Sequence, residues 1–335
     1  MTSVTTQQPL LSARGLTKLF PLRHGLGGRT TATAVDDVSF DIRPGRTVAL
    51  VGESGSGKST VGKLMLDLLA PDAGDVQFEG QPLRALSRAK RRDFRRSVQI
   101  VFQNPFRSFS PMLTVGGSLR DALRLRRLPK EQQRQEIAQL LTDVHLPPDL
   151  AARYPNEVSG GQLQRIGIAR AIATNPRAIF IDEPTSALDV SLRGQIVNLL
   201  LDLQGQRELA YVLVSHDLRL VAAMAEEMVV MYLGHVMEHG PAARILERPT
   251  HPYTLALLAA AHAKSAGVRA DSRTSLHGEV VAVPSEYRGC KLIHRCPFAQ
   301  PACGEPQTLR EFDGRLVRCR RAEEVREVAL ASSPT

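Results

Sequence analysis

The stretch GESGSGKST at residues 52–60 has the residue types and the spacing of a site that binds phosphate. It fits the pattern G-x-x-x-x-G-K-S/T, with an apolar run that reads as a strand before it and a helical pattern after it. Glycines let backbone N–H groups turn toward an anion, and the helix N-terminus adds positive potential. Lys58 is expected to reach the β- and γ-phosphates of a nucleotide, and Ser59 to bind Mg²⁺. The predicted phosphate loop contains Gly52, Ser54, Gly55, Ser56, Gly57, Lys58, Ser59 and Thr60.

Two carboxylates follow another apolar run, AIFI, at residues 178–181. This run reads as a central parallel strand, and sheets of that kind bind ligands at the carboxyl ends of their strands. A phosphate loop needs a carboxylate that holds the metal and its water shell, and Asp182 is placed for that role. Glu183 comes next, and we predict that it accepts a proton from the water that attacks the γ-phosphate.

A second glycine-rich helix start lies in VSGGQLQR, about twenty residues before Asp182. Its residues are Ser159, Gly160, Gly161 and Gln162. The helix that follows is rich in small residues and is expected to stop at Asn175-Pro176. This helix start suits phosphate, yet the first glycine-rich loop already holds one triphosphate. Taken alone, Ser-Gly-Gly-Gln indicates a turn more often than a ligand site.

The elements that must position these residues alternate between strands and helices. The pattern AVDDVSFDIRPGRTVALVG predicts two strands before the phosphate loop, and a further strand follows PDAG. Residues 84–155 read as helical and charged, which indicates an insertion into an α/β core. Alternation then resumes through RAIFIDEP, AYVLVSHD and MVVMYLGHVMEHG. The polar stretch KSAGVRADSRTS marks a boundary near residue 265.

Composition narrows the class of protein. The chain has 335 residues, 43% of them hydrophobic, which is enough for a buried core. It shows no signal-peptide pattern and no apolar run near the ~18 residues that span a bilayer, so we expect a cytosolic location. The net charge is +9, and the densest basic run, at residues 84–96, reads as a solvated helix face because no aromatic platform is interleaved with it. We therefore expect no nucleic-acid partner.

All four cysteines lie near the C-terminus: Cys290, Cys296, Cys303 and Cys319. A reducing compartment disfavours disulfides, so a metal site or free thiols are the remaining interpretations. Four thiolates can bind Zn²⁺ or a [4Fe-4S] cluster. The spacing C-x5-C-x6-C lacks the short C-x2–4-C pairs that structural zinc favours, which argues weakly against zinc.

These motifs, in this order, resemble an ATP-binding subunit of an ABC transporter, an α/β P-loop NTPase with an inserted helical subdomain. The resemblance runs from Phe20 to His216. It implies that two such domains face each other head to tail, so that Ser159 and Gly161 contact the γ-phosphate of ATP held by the partner. It also implies Mg²⁺ as the metal.

The same resemblance assigns roles to four further residues. Gln103 in VFQNP matches the glutamine loop, which senses metal and water and touches the membrane subunit. Asp189 in SALD matches the loop that contacts the partner ATPase, and His216 in LVSHD matches the switch histidine that holds the γ-phosphate. Phe20 is the expected adenine-stacking aromatic, with a core residue as the alternative.

The segment HPYTLALLAA at residues 251–260 is similar to the region that follows the ATPase domain in importers of dipeptides, oligopeptides and nickel. By itself it predicts a turn and a short apolar helix. VFQNPFRSFSPMLTV resembles the F-type ATPase subunit of those importers, although Asn104 and Ser110 depart from its commonest residues. Val158, just before Ser159, also stands where leucine is commoner. Some similar subunits carry a C-terminal iron–sulfur cluster on similarly spaced cysteines, which favours a structural [4Fe-4S] cluster over zinc here.

The expected protein is an ATPase that powers import of di- or oligopeptides at the cytoplasmic face of the membrane. The expected partners are a second and different ATPase chain, two permease subunits and, indirectly, a solute-binding protein. An importer of nickel or another small solute, or an accessory ATPase of a phosphonate lyase-like complex, are the alternatives. We predict an ATP-binding domain at residues 1–248, with a helical subdomain at about 84–175, and a cysteine-containing extension at 249–335.

Overall fold

The computed structural model describes residues 8–24, 28–186, 189–266, 275–280, 283 and 286–331. The chain divides into two compact units. The first unit consists of Met1–Leu10, Ile42–Thr47 and Phe78–Val214. The second unit consists of Leu11–Asp41, Val48–Gln77 and Ser215–Thr335. The boundary that the sequence indicates near residue 265 adjoins residues 267–274, which lie outside the described residues.

The strands are β1 (Leu11–His24), β2 (Gly28–Ile42), β3 (Thr47–Val51), β4 (Ala73–Phe78), β5 (Gln81–Pro82), β6 (Val98–Val101), β7 (Ala178–Asp182), β8 (Ala210–Ser215), β9 (Glu227–Tyr232), β10 (His235–Pro241), β11 (Arg310–Phe312) and β12 (Arg315–Val317).

The α-helices are α1 (Lys58–Met65), α2 (Arg88–Ser97), α3 (Pro105–Ser108), α4 (Val115–Leu123), α5 (Lys130–Asp143), α6 (Gly160–Ile172), α7 (Val190–Arg207), α8 (Leu218–Met224), α9 (Ala242–Glu247), α10 (Pro252–Ala266) and α11 (Ala322–Ala331). Short 3-10 turns occur at Leu83–Ala85, Arg124–Arg126, Pro148–Ala152, Pro155–Glu157 and Pro301–Gly304.

In the first unit, β6, β7 and β8 form a parallel sheet in the order β8-β7-β6. Ile181 lies beside Val101 on one side and Leu213 on the other. Residues 178–181 are buried, as a central parallel strand requires, so that prediction is confirmed. The strand β6 lies within the stretch that reads as helical, because its four apolar or amide residues are too few to stand out between charged helices.

Helices α2 to α6 make up most of the predicted helical region of the first unit. Helix α6 packs against α3, α4 and α5. It ends three residues before Asn175, whose φ of 56° lies in the left-handed region, and Pro176 follows. The stop predicted at Asn175-Pro176 is therefore confirmed to within a few residues.

In the second unit, the strand order is β11-β12-β10-β9-β3. β3 and β9 are parallel, and the remaining neighbours are antiparallel. A separate group of strands has the order β2-β1-β4. The alternation in RLVRCR predicts a short strand, and β12 confirms it. Cys319 follows that strand by two residues.

The C-terminal part of the second unit packs into that unit's core. The helix predicted after His-Pro-Tyr is α10, and it contacts α11. Leu292 belongs to a core cluster that includes residues of β3, β9 and β10, and Cys290 and Cys296 pack against that cluster. In the part of the chain that the structure describes, no helix is long and apolar enough to cross a membrane.

A buried ion pair fixes the end of this sheet. Arg315 on β12 and Glu238 on β10 approach to 3.1 Å, with side-chain exposures of 1% and 0%. Glu238 also accepts hydrogen bonds from the backbone and hydroxyl of Thr250 and from the backbone of His251. The segment that enters α10 is thus tied to the sheet through one carboxylate.

Candidate functional site

The predicted phosphate loop connects β3 to α1 in the second unit. Gly52 has a φ of 155° and Gly57, the N-cap of α1, a φ of 102°. A Cβ atom at Gly52 would lie 2.2 Å from the carbonyl oxygen of Met231, and one at Gly57 would lie 2.4 Å from that of Ala34. Both positions therefore require glycine, which explains the spacing of the motif.

Lys58 is buried at the base of the loop. Its Nζ donates to the carbonyl oxygens of Gly52 and Glu53, at 2.7 Å each, and to Ser56 Oγ at 3.2 Å. The carbonyl of Ser56 accepts from the backbone N–H of Gly234, in the turn between β9 and β10. The lysine and that turn hold the loop in a curved form.

The outer part of the loop faces solvent. Ser54, Gly55 and Ser59 are exposed, and Thr60 is half-buried in the first turn of α1. Positive potential from the start of α1 gives this exposed surface the chemistry of an anion site.

Two other predicted nucleotide contacts lie in the second unit. Phe20 on β1 is 40% exposed, with Lys18 Nζ 5.9 Å from the centre of its ring. An aromatic so exposed is not a core residue, so the adenine-stacking assignment stays the prediction. His216 is exposed and comes directly after β8.

The first unit brings Gln103 and Glu183 together. Gln103 Nε2 donates to Glu183 Oε2 at 2.6 Å. Glu183 directly follows Asp182, the last residue of β7, and its φ of 43° is unusual for a residue with a side chain. Its backbone N–H donates to Val214 at 2.9 Å, which holds this turn.

The predicted signature residues form the start of α6 in the first unit. Ser159 Oγ accepts from the backbone N–H of Gln162 at 3.3 Å, and the side chain of Gln162 accepts from the backbone N–H of Ser159 at 2.9 Å. This reciprocal capping box accounts for the serine and glutamine without a ligand. A Cβ atom at Gly161 would lie 3.1 Å from Leu192, so a larger residue there is crowded.

The loop predicted to contact a partner ATPase is described in part. Asp189 is exposed and is the N-cap of α7. Ala187 and Leu188, from the same SALD motif, lie outside the described residues. Asn104, which stands where aspartate is usual, caps α3 by accepting from the backbone N–H of Arg107 at 3.2 Å. An asparagine and an aspartate oxygen serve equally in that role.

The predicted residues thus fall into two groups. The phosphate loop, Phe20 and His216 belong to the second unit. The first unit contains Gln103, Asp182, Glu183, Asp189 and the signature residues Ser159, Gly160, Gly161 and Gln162.

All four cysteines line one small cavity in the second unit, and all four are free thiols. Burial raises the pKa of Cys296 and of Cys319 to about 12, and it also raises the pKa of Cys290. Among the described residues, no group of three or more His, Cys, Asp or Glu side chains is arranged to hold a metal ion. The cavity measures about 10 Å³, room for about one water molecule.

Three contacts at the phosphate loop do not follow from any motif. The backbone N–H of Glu53 donates to Tyr253 Oη at 2.7 Å. The guanidinium of Arg295 contacts the carboxylate of Glu53 through both nitrogens, at 2.9 and 3.3 Å, and approaches Tyr232 Oη at 3.4 Å. Tyr253 belongs to the HPYT segment, so the motif that indicates a type of importer also carries a contact with the loop.

Comparisons with known proteins agree with this arrangement. The ABC transporter family matches residues 35–186, and the oligopeptide/dipeptide transporter C-terminal region matches residues 237–303. A glutathione import ATP-binding protein of Salmonella paratyphi A is 48% identical over 261 residues, which are 77% of this chain and 42% of that protein. Its counterpart in Escherichia coli K12 is 49% identical over the same shares. The chain therefore spans less than half the length of these curated relatives.

Solved structures give the same fold. A dimeric ATP-binding cassette bound to ADP and Pi matches with a TM-score of 0.61 and 29% identity, over 69% of this chain and 98% of that one. The protein cbiO1 of Clostridium perfringens, part of an ABC transporter complex, matches with a TM-score of 0.60 and 24% identity over 71% of this chain and 91% of its own. With the two matched regions and the phosphate loop in place, the chain belongs to the ABC transporter family of ATP-binding proteins, with a C-terminal region of the oligopeptide/dipeptide type.

Proposed function

We propose that this chain hydrolyses ATP to power the import of small peptides through two membrane permease subunits. The observation that carries the proposal is the oligopeptide/dipeptide C-terminal region at residues 237–303, which follows an ABC domain in the same chain. The matched relatives are named for import of glutathione, itself a tripeptide. The chain acts at the cytoplasmic face of the membrane as a peripheral subunit.

ATP binds with its β- and γ-phosphates at the phosphate loop, where Lys58 supplies a positive charge. Ser59 and Asp182 would hold Mg²⁺, and the ion would neutralise charge on the phosphates. Glu183 accepts the proton of the attacking water, and Gln103 orients that carboxylate. His216 holds the γ-phosphate, Phe20 stacks on adenine, and the loops around them come from strand ends, where α/β proteins bind ligands.

A second ATPase chain completes each site. Ser159 and Gly161 contact the γ-phosphate on that partner, and Asp189 lies at the contact between the two chains. ATP draws the two chains together, and hydrolysis lets them separate. The partner is a different chain, as in the importers that this one resembles.

An apolar surface of the first unit supports a contact with the permease. Five large apolar side chains between 37% and 83% exposed lie within a short segment: Phe102, Phe106, Met112, Leu113 and Leu125. Three of them, Phe102, Leu113 and Leu125, line a groove of about 340 Å³. Exposed apolar groups concentrated in this way mark a protein contact. Gln103 lies in this segment and donates to Glu183, so a permease bound here also contacts the side chain that orients the proposed base.

The test is purification from the native host in mild detergent, with identification of every chain that co-purifies. Two integral membrane subunits and a second ATPase are the expected partners. ATP-dependent uptake of a labelled tripeptide by proteoliposomes of the complex then tests the substrate. Co-purification with a cytosolic lyase complex and no membrane protein would contradict import, and uptake of Ni²⁺ but not of peptide would contradict the substrate class.

We further propose that the four cysteines hold a [4Fe-4S] cluster with a structural role. The chemistry of the donor set supports this, because Cys290, Cys296, Cys303 and Cys319 are free thiols on one cavity, and four thiolates suit such a cluster. The cavity of about 10 Å³ would have to widen to admit a cluster. Bound iron would keep these four thiols deprotonated, against the effect of burial on their pKa. The wide spacing of the cysteines supports a cluster over zinc.

Anaerobic purification with assays for iron, zinc and acid-labile sulfide tests the cluster. Four irons with sulfide per chain, lost in Cys296→Ser, are expected. Colourless protein with one zinc per chain would overturn the proposal, and so would protein with neither metal after anaerobic purification.

A further inference from the structure

Glu53, the second residue of the phosphate loop, is held by side chains that come from the C-terminal part of the chain. Tyr253 on α10 accepts from its backbone N–H, and Arg295 contacts its carboxylate. The arginine and carboxylate side chains are 12% and 30% exposed. A two-nitrogen contact of this kind fixes orientation as well as distance.

Arg295 is itself held in place. Its backbone N–H donates to Leu292, and its carbonyl accepts from His277. Its guanidinium lies 5.8 Å from the centre of the Tyr232 ring. Burial lowers the pKa of Arg295, but the hydrogen bonds with Glu53 and Tyr232 outweigh burial and raise it overall, so the cation is stable at any working pH.

Tyr253 is equally fixed. Its side chain is fully buried, and its ring lies 4.8 Å from that of Tyr232. Its backbone N–H donates to His251 Nδ1 at 3.1 Å. Burial raises the pKa of Tyr253, which keeps its hydroxyl neutral.

These contacts meet the phosphate site at Lys58. The lysine donates to the carbonyl of Glu53, so one residue is bound by the lysine through its carbonyl and by the C-terminal part through its N–H and carboxylate. A shift of Glu53 would move two acceptors of the lysine that faces the phosphates, since Gly52 is its neighbour.

We propose that Arg295 and Tyr253 are positioning residues for nucleotide binding, through which the C-terminal extension sets the shape of the phosphate loop. This inference rests on the proposed role of residues 52–60 in binding ATP. By this inference the C-terminal extension contributes to nucleotide binding as well as containing the region that matches importers.

The experiment measures the affinity of the full chain for Mg²⁺ and a non-hydrolysable ATP analogue. Arg295→Ala is expected to weaken binding by roughly five- to tenfold, because a charge-assisted contact is lost. Arg295→Lys keeps the positive charge but not the two-nitrogen contact, so it should recover part of the lost affinity. Arg320→Ala is the matched control, since it removes a 2.8 Å ion pair with Glu305 in the same extension and should stay within twofold of the parent.

Two further measurements separate positioning from a general loss of stability. Glu53→Gln combined with Arg295→Ala should bind no more weakly than the worse single variant, because both remove one contact. Amide hydrogen exchange at residues 52–58 should speed up in Arg295→Ala and not in Arg320→Ala. Tyr253→Phe keeps the ring and removes the acceptor of the Glu53 N–H, so it reports on the same loop even where Arg295→Ala does not fold.

Parental affinity and parental exchange in Arg295→Ala and Tyr253→Phe would overturn the inference, and so would additive losses in the double variant. Lys58→Ala distinguishes a failure of the positioning role from a failure of the phosphate-loop assignment. Lost binding in Lys58→Ala with none lost in Arg295→Ala refutes the positioning role alone. Unchanged binding in Lys58→Ala refutes the phosphate loop itself.

Discussion

Glu183 accepts a 2.6 Å hydrogen bond from the side chain of Gln103 while its own backbone is held at a φ of 43°. A left-handed backbone costs a residue with a Cβ roughly 1–2 kcal/mol. The hydrogen bond from Glu183 N–H to Val214 helps to maintain it. Two features therefore orient the Glu183 carboxylate: the conformation of its backbone and the hydrogen bond from the Gln103 amide.

Glu183→Gln is expected to bind ATP with nearly parental affinity and to lose at least ~100-fold in kcat, because an amide keeps the shape but accepts no proton. Single-turnover hydrolysis and equilibrium nucleotide binding measure the two effects separately. ATP-loaded dimers should accumulate with the partner chain. Hydrolysis at the parental rate would remove Glu183 from the role of base.

Gln103→Ala is expected to lower kcat by roughly tenfold and to leave nucleotide affinity within twofold, since it releases the base without removing it. Steady-state ATPase assays of the assembled complex give the two values. Gln139→Ala is the control, because that amide donates to Asp143 on the same helix of the first unit and does not line the apolar groove. An equal loss of kcat in both variants would show that the contact between Gln103 and Glu183 makes no specific contribution to catalysis.

Ser159→Arg is expected to leave ATP binding by the isolated chain intact and to block hydrolysis in the assembled complex, because the residue serves the partner's site. The substitution also removes a helix cap worth ~1 kcal/mol. Thr114→Arg removes a similar cap, a 3.1 Å bond to the N–H of Gly117, and corrects for that effect. Lost ATP binding in the isolated Ser159→Arg chain, but not in Thr114→Arg, would contradict the assignment to the partner.

Arg315→Met is expected to destabilise the second unit by about 3–5 kcal/mol, because it leaves the Glu238 carboxylate charged and buried. Chemical denaturation gives the change in unfolding free energy. Arg320→Met breaks an exposed pair and should cost less than about 1 kcal/mol. A loss below 1 kcal/mol at Arg315 would mean that the remaining donors to Glu238 suffice.

Acid is expected to destabilise the protein through His235. Burial lowers the pKa of this side chain from 6.5 to about 4, with a further lowering by Arg318, while Asp36 opposes the shift. Between those two pH values the unfolded chain binds a proton that the folded chain does not, so stability falls as pH drops through the window. The Tm of the parent should fall between pH 7 and pH 5 by roughly 3–6 °C more than that of His235→Asn. If Tm changes equally with pH in the parent and in His235→Asn, groups other than His235 cause the acid sensitivity.

Local patterns were enough to predict much of the candidate site. Gly52, Gly57 and Lys58 lie within one short segment, and the burial of residues 178–181 follows from an unbroken apolar run. The contacts of Glu53 could not be predicted in this way, because Tyr253 and Arg295 are 200 and 242 residues away and no periodicity connects them. The left-handed turn at Glu183 was equally hidden, since it depends on the neighbouring strand rather than on residue type.

The separation of 242 residues between Glu53 and Arg295 has a consequence for folding during synthesis. At 5–20 residues per second, a ribosome needs roughly 12–48 s after adding Glu53 before it adds Arg295. Over that time the phosphate loop lacks its contact with Arg295, and β10 is also made before β12 can pair with it. The second unit therefore reaches its final arrangement only after the segment that carries Arg295 and β12 has left the ribosome, and full nucleotide binding should follow the synthesis of that segment.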